Sequence, residues 1–333
     1  MTSVAWECSV FSVRTPWDPW WGILSNIARR ILLAASTNPW LRARATDTPF
    51  VRRSVSRFMP GERVEDAIAA AAHLQVKGVG ALLTHLGENL TRLDEFEGVT
   101  RHYLDVIDRV KAAGLDAQIS VKLTQLGLDL DRELCYRNLQ RLVDRAVEHG
   151  QFVWIDMENS RYVDATLDLF RRTRQRTPIV GVALQAYLYR TARDLESLLP
   201  LGVAIRLVKG AYFEPANVAY PRKSDVNASY DNLARRVLSE DGQRTASLLH
   251  IATHDSRLID RVSDYIDEHH VPRSAYEYAM LYGIQQPLQA RLAASGRRLR
   301  VIISYGEHWF PWYMRRLAER PANIWFVVKN VLG

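Results

Sequence analysis

Eight short apolar runs, each followed by a stretch of helical periodicity, pace the sequence from about residue 78 onward. The runs occupy residues 78–84, 118–123, 152–156, 179–185, 203–208, 247–253, 274–278 and 299–303. Helical stretches at 100–113, 132–149, 162–174, 192–199, 227–238, 257–269 and 288–294 separate them. An alanine-rich helix at 62–76 precedes the first run, and a last helix begins near Glu307. Runs that are apolar throughout, rather than alternating, belong to strands covered on both faces, as in a helix-wrapped parallel sheet. Eight such units in about 250 residues predict a closed, distorted (β/α)8 TIM-type barrel in the α/β class. An open doubly wound sheet is the alternative. It lacks its main support, because no Gly-x-Gly-x-x-Gly turn follows the first run.

Residues 1–60 read as an N-terminal helical arm and linker. Trp17, Trp20 and Trp21 stand ahead of a helix at 23–35, and an arginine-rich linker follows at 42–57. Residues 61–333 form the predicted barrel, with the final helix laid over its C-terminal mouth. The stretch at 17–36 is interrupted by Arg29 and Arg30 and is too polar to span a bilayer. It is expected to pack on the body of the protein. No signal peptide is expected, since no charged region leads into an apolar core and a cleavage site. The net charge of +7 comes from scattered arginines without a run of five basic residues, which argues against nucleic acid. A peripheral contact with the inner face of an anionic membrane stays open. Cys8 and Cys135 have no metal-ligand spacing, which points to a reducing, cytoplasmic setting without disulfides.

The polar residues fall in a pattern. Glu88, Lys122, Asp156, Gln185, Arg206, Lys209, Thr253, His254 and Glu277 lie at or just past the C-terminal ends of different runs. Singly, each has a bland explanation: Lys122 or Glu277 as half of a structural ion pair, His254 as a hydrogen-bonded loop residue. Together, on the rim where a barrel's strand ends converge, they predict a site. The last helix carries Arg315 and Arg316, which point about 100° apart. Trp312 lies one turn before Arg315 and Glu319 one turn after it. Two guanidinium forks with an aromatic wall suit a small carboxylate held bidentately, although such a pair taken alone is more often a solvated basic face. His85, Asp156, Glu158 and His254 are the available metal ligands, without metal-site spacing, and the cations at the rim would repel a divalent ion. No metal is expected. The residues alone reach a barrel enzyme that binds a large anionic cofactor and a small acid.

Nine ordered stretches support a resemblance. They are Arg57-Phe58-Met59-Pro60-Gly61-Glu62, Leu86-Gly87-Glu88, residues 120–127 (Ser-Val-Lys-Leu-Thr-Gln-Leu-Gly), Ile155-Asp156-Met157-Glu158, Leu184-Gln185-Ala186-Tyr187, residues 206–212 (Arg-Leu-Val-Lys-Gly-Ala-Tyr), Ala252-Thr253-His254-Asp255, residues 276–283 and the closing Arg-Arg-x-x-Glu. In these the chain resembles the proline dehydrogenases, flavin-dependent barrels that oxidise L-proline. The resemblance implies an FAD cofactor, with Arg206 beside flavin N5 and with Asp156, Gln185, Lys209, Ala211, Thr253 and His254 also touching it. Lys122, Asp156 and Arg206 would be the catalytic set. Lys122, Leu281, Ile302, Trp312, Arg315 and Arg316 would hold the substrate, and Glu88 would close a gate on Arg315. Glu319 would keep the guanidinium forks aimed. The implied reaction transfers a hydride from proline C5 to N5, yields Δ1-pyrroline-5-carboxylate and passes electrons to a quinone. A downstream pyrroline-5-carboxylate dehydrogenase is then the expected consumer. Three departures touch the substrate pocket: Ile302 and Trp312 stand where the family usually places tyrosines, and Ala279 where a glutamine is common. They raise two alternatives, a dehydrogenase of a substituted or hydroxylated proline and an FAD-binding relative without turnover.

Overall fold

The protein is described by a computed structural model over residues 54–87, 90–245 and 248–318, with side chains to Met314. The arm at 1–53, Glu88 and Glu319 lie outside the described residues. Eight parallel strands close into a barrel in sequential order. They are β1 (Gly80–His85), β2 (Ala117–Val121), β3 (Val153–Ile155), β4 (Val180–Gln185), β5 (Ala204–Val208), β6 (Leu248–Ala252), β7 (Tyr276–Leu281) and β8 (Leu299–Tyr305). Closure is made by β1 against β8 in a register that runs from Gly80 opposite Arg300 to His85 opposite Tyr305. The helices are α1 (Val64–Gln75), α2 (Leu93–Ala112), α3 (Arg132–His149), α4 (Val163–Arg174), α5 (Thr191–Leu198), α6 (Lys223–Leu238), α7 (Glu240–Arg244), α8 (Ser256–Glu268), α9 (Gln286–Ala294) and α10 (Trp309–Ala318).

Local chemistry sets these boundaries. Asp131 starts α3 by accepting the Leu134 amide at 2.5 Å, and Gly150 (φ 68°) ends it in the left-handed conformation that glycine adopts cheaply. Helix α2 begins at Leu93, earlier than the periodicity suggests, because the Glu95 carboxylate reaches back to the amides of Thr91 and Arg92. Residues 54–59 pack on the barrel rather than leaving it. Val55 and Met59 are buried, Tyr313 Oη donates to Ser54 Oγ at 2.6 Å, and a Cβ on Gly283 would fall 1.5 Å from the Arg57 carbonyl oxygen.

Alternate residues of each strand serve two different cores. Ile119, Val121, Val153, Ile155, Ile205, Leu207, Leu249 and Ile251 face outward into the large cluster shared with the helices. Leu82, Trp154 and Ala204, from strands on different sides of the barrel, meet in a small inner cluster with Phe152, Leu248 and Ile302 packed against it. Gly181 leaves room for Trp154: a Cβ there would lie 2.6 Å from the indole and 3.0 Å from the Ala204 carbonyl oxygen. Gly181→Ala is expected to destabilise the fold by about 1–3 kcal/mol through overpacking, read as a lower urea midpoint.

Strand β7 requires a correction. The sequence places a strand at 274–278, with Glu277 near its C-terminal end. In the structure Arg273–Ala275 form a 3-10 turn after Pro272, and the strand runs from Tyr276 to Leu281. Glu277 therefore sits at the strand's beginning, far from the mouth. It accepts from Arg300 Nε at 2.9 Å and Nη2 at 3.2 Å, and His250 Nε2 lies 2.9 Å from its carboxylate. Arg300 also reaches Asp116 and the Ala81 carbonyl oxygen at 3.0 Å. This is the structural ion pair, and Glu277 leaves the list of mouth residues.

Candidate active site

The site is built from the ends of β2 to β8. Arg206 is the third residue of β5, one layer deeper than the rim position expected from the sequence, and it is only 3% exposed. Its Nη2 donates to Ser120 Oγ at 2.9 Å and to Asp156 Oδ1. Ser120 in turn donates to Asp156 at 2.8 Å. Strands β2, β3 and β5 are not all neighbours, so these bonds cross the barrel's interior. Burial lowers the guanidinium's pKa, while the charge and hydrogen bond of Asp156 act against that. An arginine in this setting stays charged. Sequence reading did not single out Ser120. The period-two alternation that puts it on the same strand face as Lys122 was the available signal.

Lys122 follows β2 and is largely buried. Among the described residues no carboxylate lies within ion-pair distance of its ammonium. Glu158, considered from the sequence only as a metal ligand, lies near it. Burial raises the Glu158 pKa, although its carboxylate accepts from the Thr124 amide at 3.2 Å and from Thr124 Oγ1 at 2.7 Å. Gln185 closes β4 and donates through Nε2 to the carbonyls of Met157 and Glu158 at 3.3 and 3.1 Å.

On the far side Lys209 Nζ bridges Asn227 Oδ1 at 2.8 Å and Asp255 Oδ2 at 2.7 Å. Ala211 follows Gly210, whose φ of +110° and close approach to the Tyr187 ring leave no place for a side chain. Thr253 is buried and accepts the Asp255 amide at 3.2 Å. His254 Nε2 accepts the amide of Leu281 at 2.8 Å, so in its neutral form the ring carries its proton on Nδ1. Leu281 ends β7 opposite Ile302, which is half-buried on the inner face of β8. Trp312 is buried in α10. Arg315 and Arg316 are on the same helix, but their side chains lie outside the described residues. Glu88 and Glu319 lie outside the described residues. Among the described side chains, Lys122, Asp156, Gln185, Arg206, Lys209, Thr253, His254 and Leu281 come from the C-terminal halves of their strands or the loops just after them, while Glu277 does not. A separate cleft of about 490 Å³, walled by Lys111, Asp116, Gln118 and His149, opens at the opposite end and contains none of them.

Two buried histidines, His85 at the end of β1 and His250 inside β6, give a pH signature. Burial, with the charges of His102, His308 and Lys122 adding to it, holds the His85 pKa at about 3. Burial likewise holds His250 at about 4, despite its Glu277 contact. A depressed histidine pKa favours the neutral ring in the fold, so stability is complete above the unfolded value near 6.5 and falls as pH drops toward the folded values. Each histidine is expected to cost about 1 kcal/mol over the first pH unit below 6.5, read from denaturation midpoints at pH 7.5, 6.5 and 5.5. A midpoint flat across that range would contradict their burial as neutral rings.

A family model described as "Proline dehydrogenase" matches residues 67–329. Proline dehydrogenase 1 of Bacillus subtilis subsp. natto is 37% identical over 306 residues, which is 91% of this chain and 99% of the relative. The chain belongs to the proline dehydrogenase family. The Deinococcus radiodurans proline dehydrogenase agrees, at 36% identity over 315 residues, 93% of this chain and 99% of its own length. Among solved structures, proline utilization A from Bdellovibrio bacteriovorus superposes with a TM-score of 0.77 at 21% identity. The match covers 90% of this chain and 37% of that one, so this chain spans little more than a third of it. A Bradyrhizobium japonicum counterpart gives a TM-score of 0.68 at 20% identity, over 81% of this chain and 31% of its own. These last two likenesses are of fold: the family's barrel is the architecture described above.

Proposed function

We propose that this proline dehydrogenase family member oxidises L-proline to Δ1-pyrroline-5-carboxylate with FAD as its cofactor. The observation that supports this best is a pair of buried polar atoms without partners. Arg206 Nη1 is a donor and Gln185 Oε1 an acceptor, and neither is satisfied by the protein's described residues. Unpaired buried groups cost about 1–3 kcal/mol each, so they persist where a ligand uses them. A flavin ring offers both an acceptor nitrogen and a donor N–H, which fits this donor set. Lys209, Ala211, Thr253 and His254 would then hold the rest of the cofactor. Bound there, FAD would supply the two-electron acceptor.

The chain's own residues do the positioning. Arg206 fixes a positive charge beside the reacting face, held against rotation by Asp156 and Ser120. Lys122 presents an ammonium at the same wall. Arg315 and Arg316 clamp the proline carboxylate, Leu281, Ile302 and Trp312 wall the pyrrolidine, and Glu88 gates the entrance against Arg315. Electrons pass on to a quinone, and the product goes to a pyrroline-5-carboxylate dehydrogenase. No helix among the described residues is long and apolar enough to cross a membrane. In this reading the protein meets its quinone at the inner face of the membrane as a peripheral partner.

Purification tests the cofactor: the protein should be yellow and release FAD on denaturation, and a colourless protein that cannot be reconstituted with FAD contradicts the reading. Ile302 favours a second reading, because it is half-buried beside Leu281 and brings no hydroxyl to the pocket. Pockets that lose one such polar contact discriminate weakly, by about 1–3 kcal/mol. The ratio of kcat/KM for L-proline over a 4-hydroxylated proline is thus expected to stay below about 200. A ratio in the tens of thousands would rule out a relaxed pocket.

A further inference from the structure

Beneath Arg206 lies a tryptophan that the assigned site does not use. Trp154 is the middle residue of β3, fully buried, with its side chain inside the barrel rather than among the covering helices. The Arg206 guanidinium carbon stands 5.4 Å from the centre of its ring. Three contacts fix the indole. Its Nε1 donates to Gln118 Oε1 at 2.7 Å, the His250 ring packs against it at 4.1 Å between centroids, and Gly181 leaves it clearance on a third side.

We infer that Trp154, oriented by Gln118, is a positioning residue that carries the Arg206 guanidinium on its ring and so helps set the reduction potential of the bound flavin. The inference rests on the flavin reading above. Its physical basis is that Arg206 is pulled sideways by Asp156 and has no second carboxylate beneath it among the described residues. A carboxylate there would cancel the positive charge. An aliphatic side chain would offer no attraction to the guanidinium face that the bonds to Asp156 and Ser120 leave free. An aromatic face attracts a cation through its quadrupole without neutralising it, and most strongly where water is excluded. The charge therefore stays aimed at the mouth, where it favours electron-rich over electron-poor flavin. Trp154 lies in the inner cluster with the Arg206 guanidinium over its ring, so its effect passes through Arg206.

The test compares Trp154→Phe, which keeps a ring and loses the N–H, with Trp154→Leu, which loses the ring. In flavin-loaded protein, Trp154→Leu is expected to shift the flavin equilibrium about tenfold toward the oxidised form, about 30 mV for a two-electron couple. kcat should fall in step, with KM for L-proline within twofold, and Trp154→Phe should recover most of the loss. An unchanged potential in the leucine variant, or an equal shift in both variants, overturns the inference. A cofactor-independent measurement covers poor folding or failure of the flavin reading. In urea unfolding, a double-mutant cycle of Trp154→Phe or Trp154→Leu with Arg206→Met should show the leucine pair non-additive by about tenfold in the unfolding constant, and the phenylalanine pair nearly additive. A leucine cycle that is additive also overturns it. Coupling in a protein that never takes up flavin would instead refute the flavin reading and leave the contact standing.

Discussion

Arg315→Met is expected to raise KM for L-proline by roughly 30- to 4,000-fold with a much smaller change in kcat. The equivalent loss is about 2–5 kcal/mol, the cost of truncating one partner of a buried hydrogen-bonded charge pair. Arg315 and Arg316 are adjacent on α10, whose earlier turn buries Trp309, Trp312 and Tyr313 against the barrel. Tyr313 is anchored to Ser54 and Trp309 to Glu62, so the helix is fixed before any substrate arrives. A carboxylate bound by such a pair is held equally in the ground and transition states, and its loss appears in KM. Steady-state kinetics with L-proline decides it. A KM unchanged by the substitution would refute the clamp.

Glu277→Ala is expected to be the most damaging single change to the fold, at about 3–5 kcal/mol. The loss comes less from the missing contact than from what remains. Arg300 is 3% exposed and would retain its charge inside the barrel with Asp116 as its one remaining counter-ion among the described residues. Burial by itself would raise the Glu277 pKa, but His250 and Arg300 outweigh it and hold the carboxyl at about 2. A depressed carboxylate pKa contributes stability that is present above the unfolded value near 4.5 and is lost as pH falls toward 2. Wild type and Glu277→Ala should therefore differ most near neutral pH and converge in acid. Equal thermal midpoints at pH 7 would show that the pair is dispensable.

The barrel was legible because parallel strands buried on both faces leave a signature that each run carries by itself. Rim residues such as Lys122, Asp156 and Gln185 were legible for the same reason, since each ends its own run. What escaped is long-range. The shift of β7 by a 3-10 turn after Pro272 moved Glu277 from the mouth to the base, and its bond to Arg300 links residues 23 apart in sequence. The Arg206–Ser120 bond joins residues 86 apart across the interior. Nothing local announces a partner that arrives from another strand. Trp154 read as one more apolar strand residue, because alternation says which face a side chain takes but not what stands above it.

On the proposed function, Lys122, Asp156, Arg206 and the arginine pair of α10 surround one flavin and one molecule of proline. The most direct test is to add L-proline to the purified protein without oxygen and follow its visible absorption. The flavin band is expected to bleach, and Arg206→Met and Arg315→Met are each expected to slow the bleaching at a fixed, subsaturating proline concentration. A flavin band indifferent to L-proline at any concentration would contradict the proposed function.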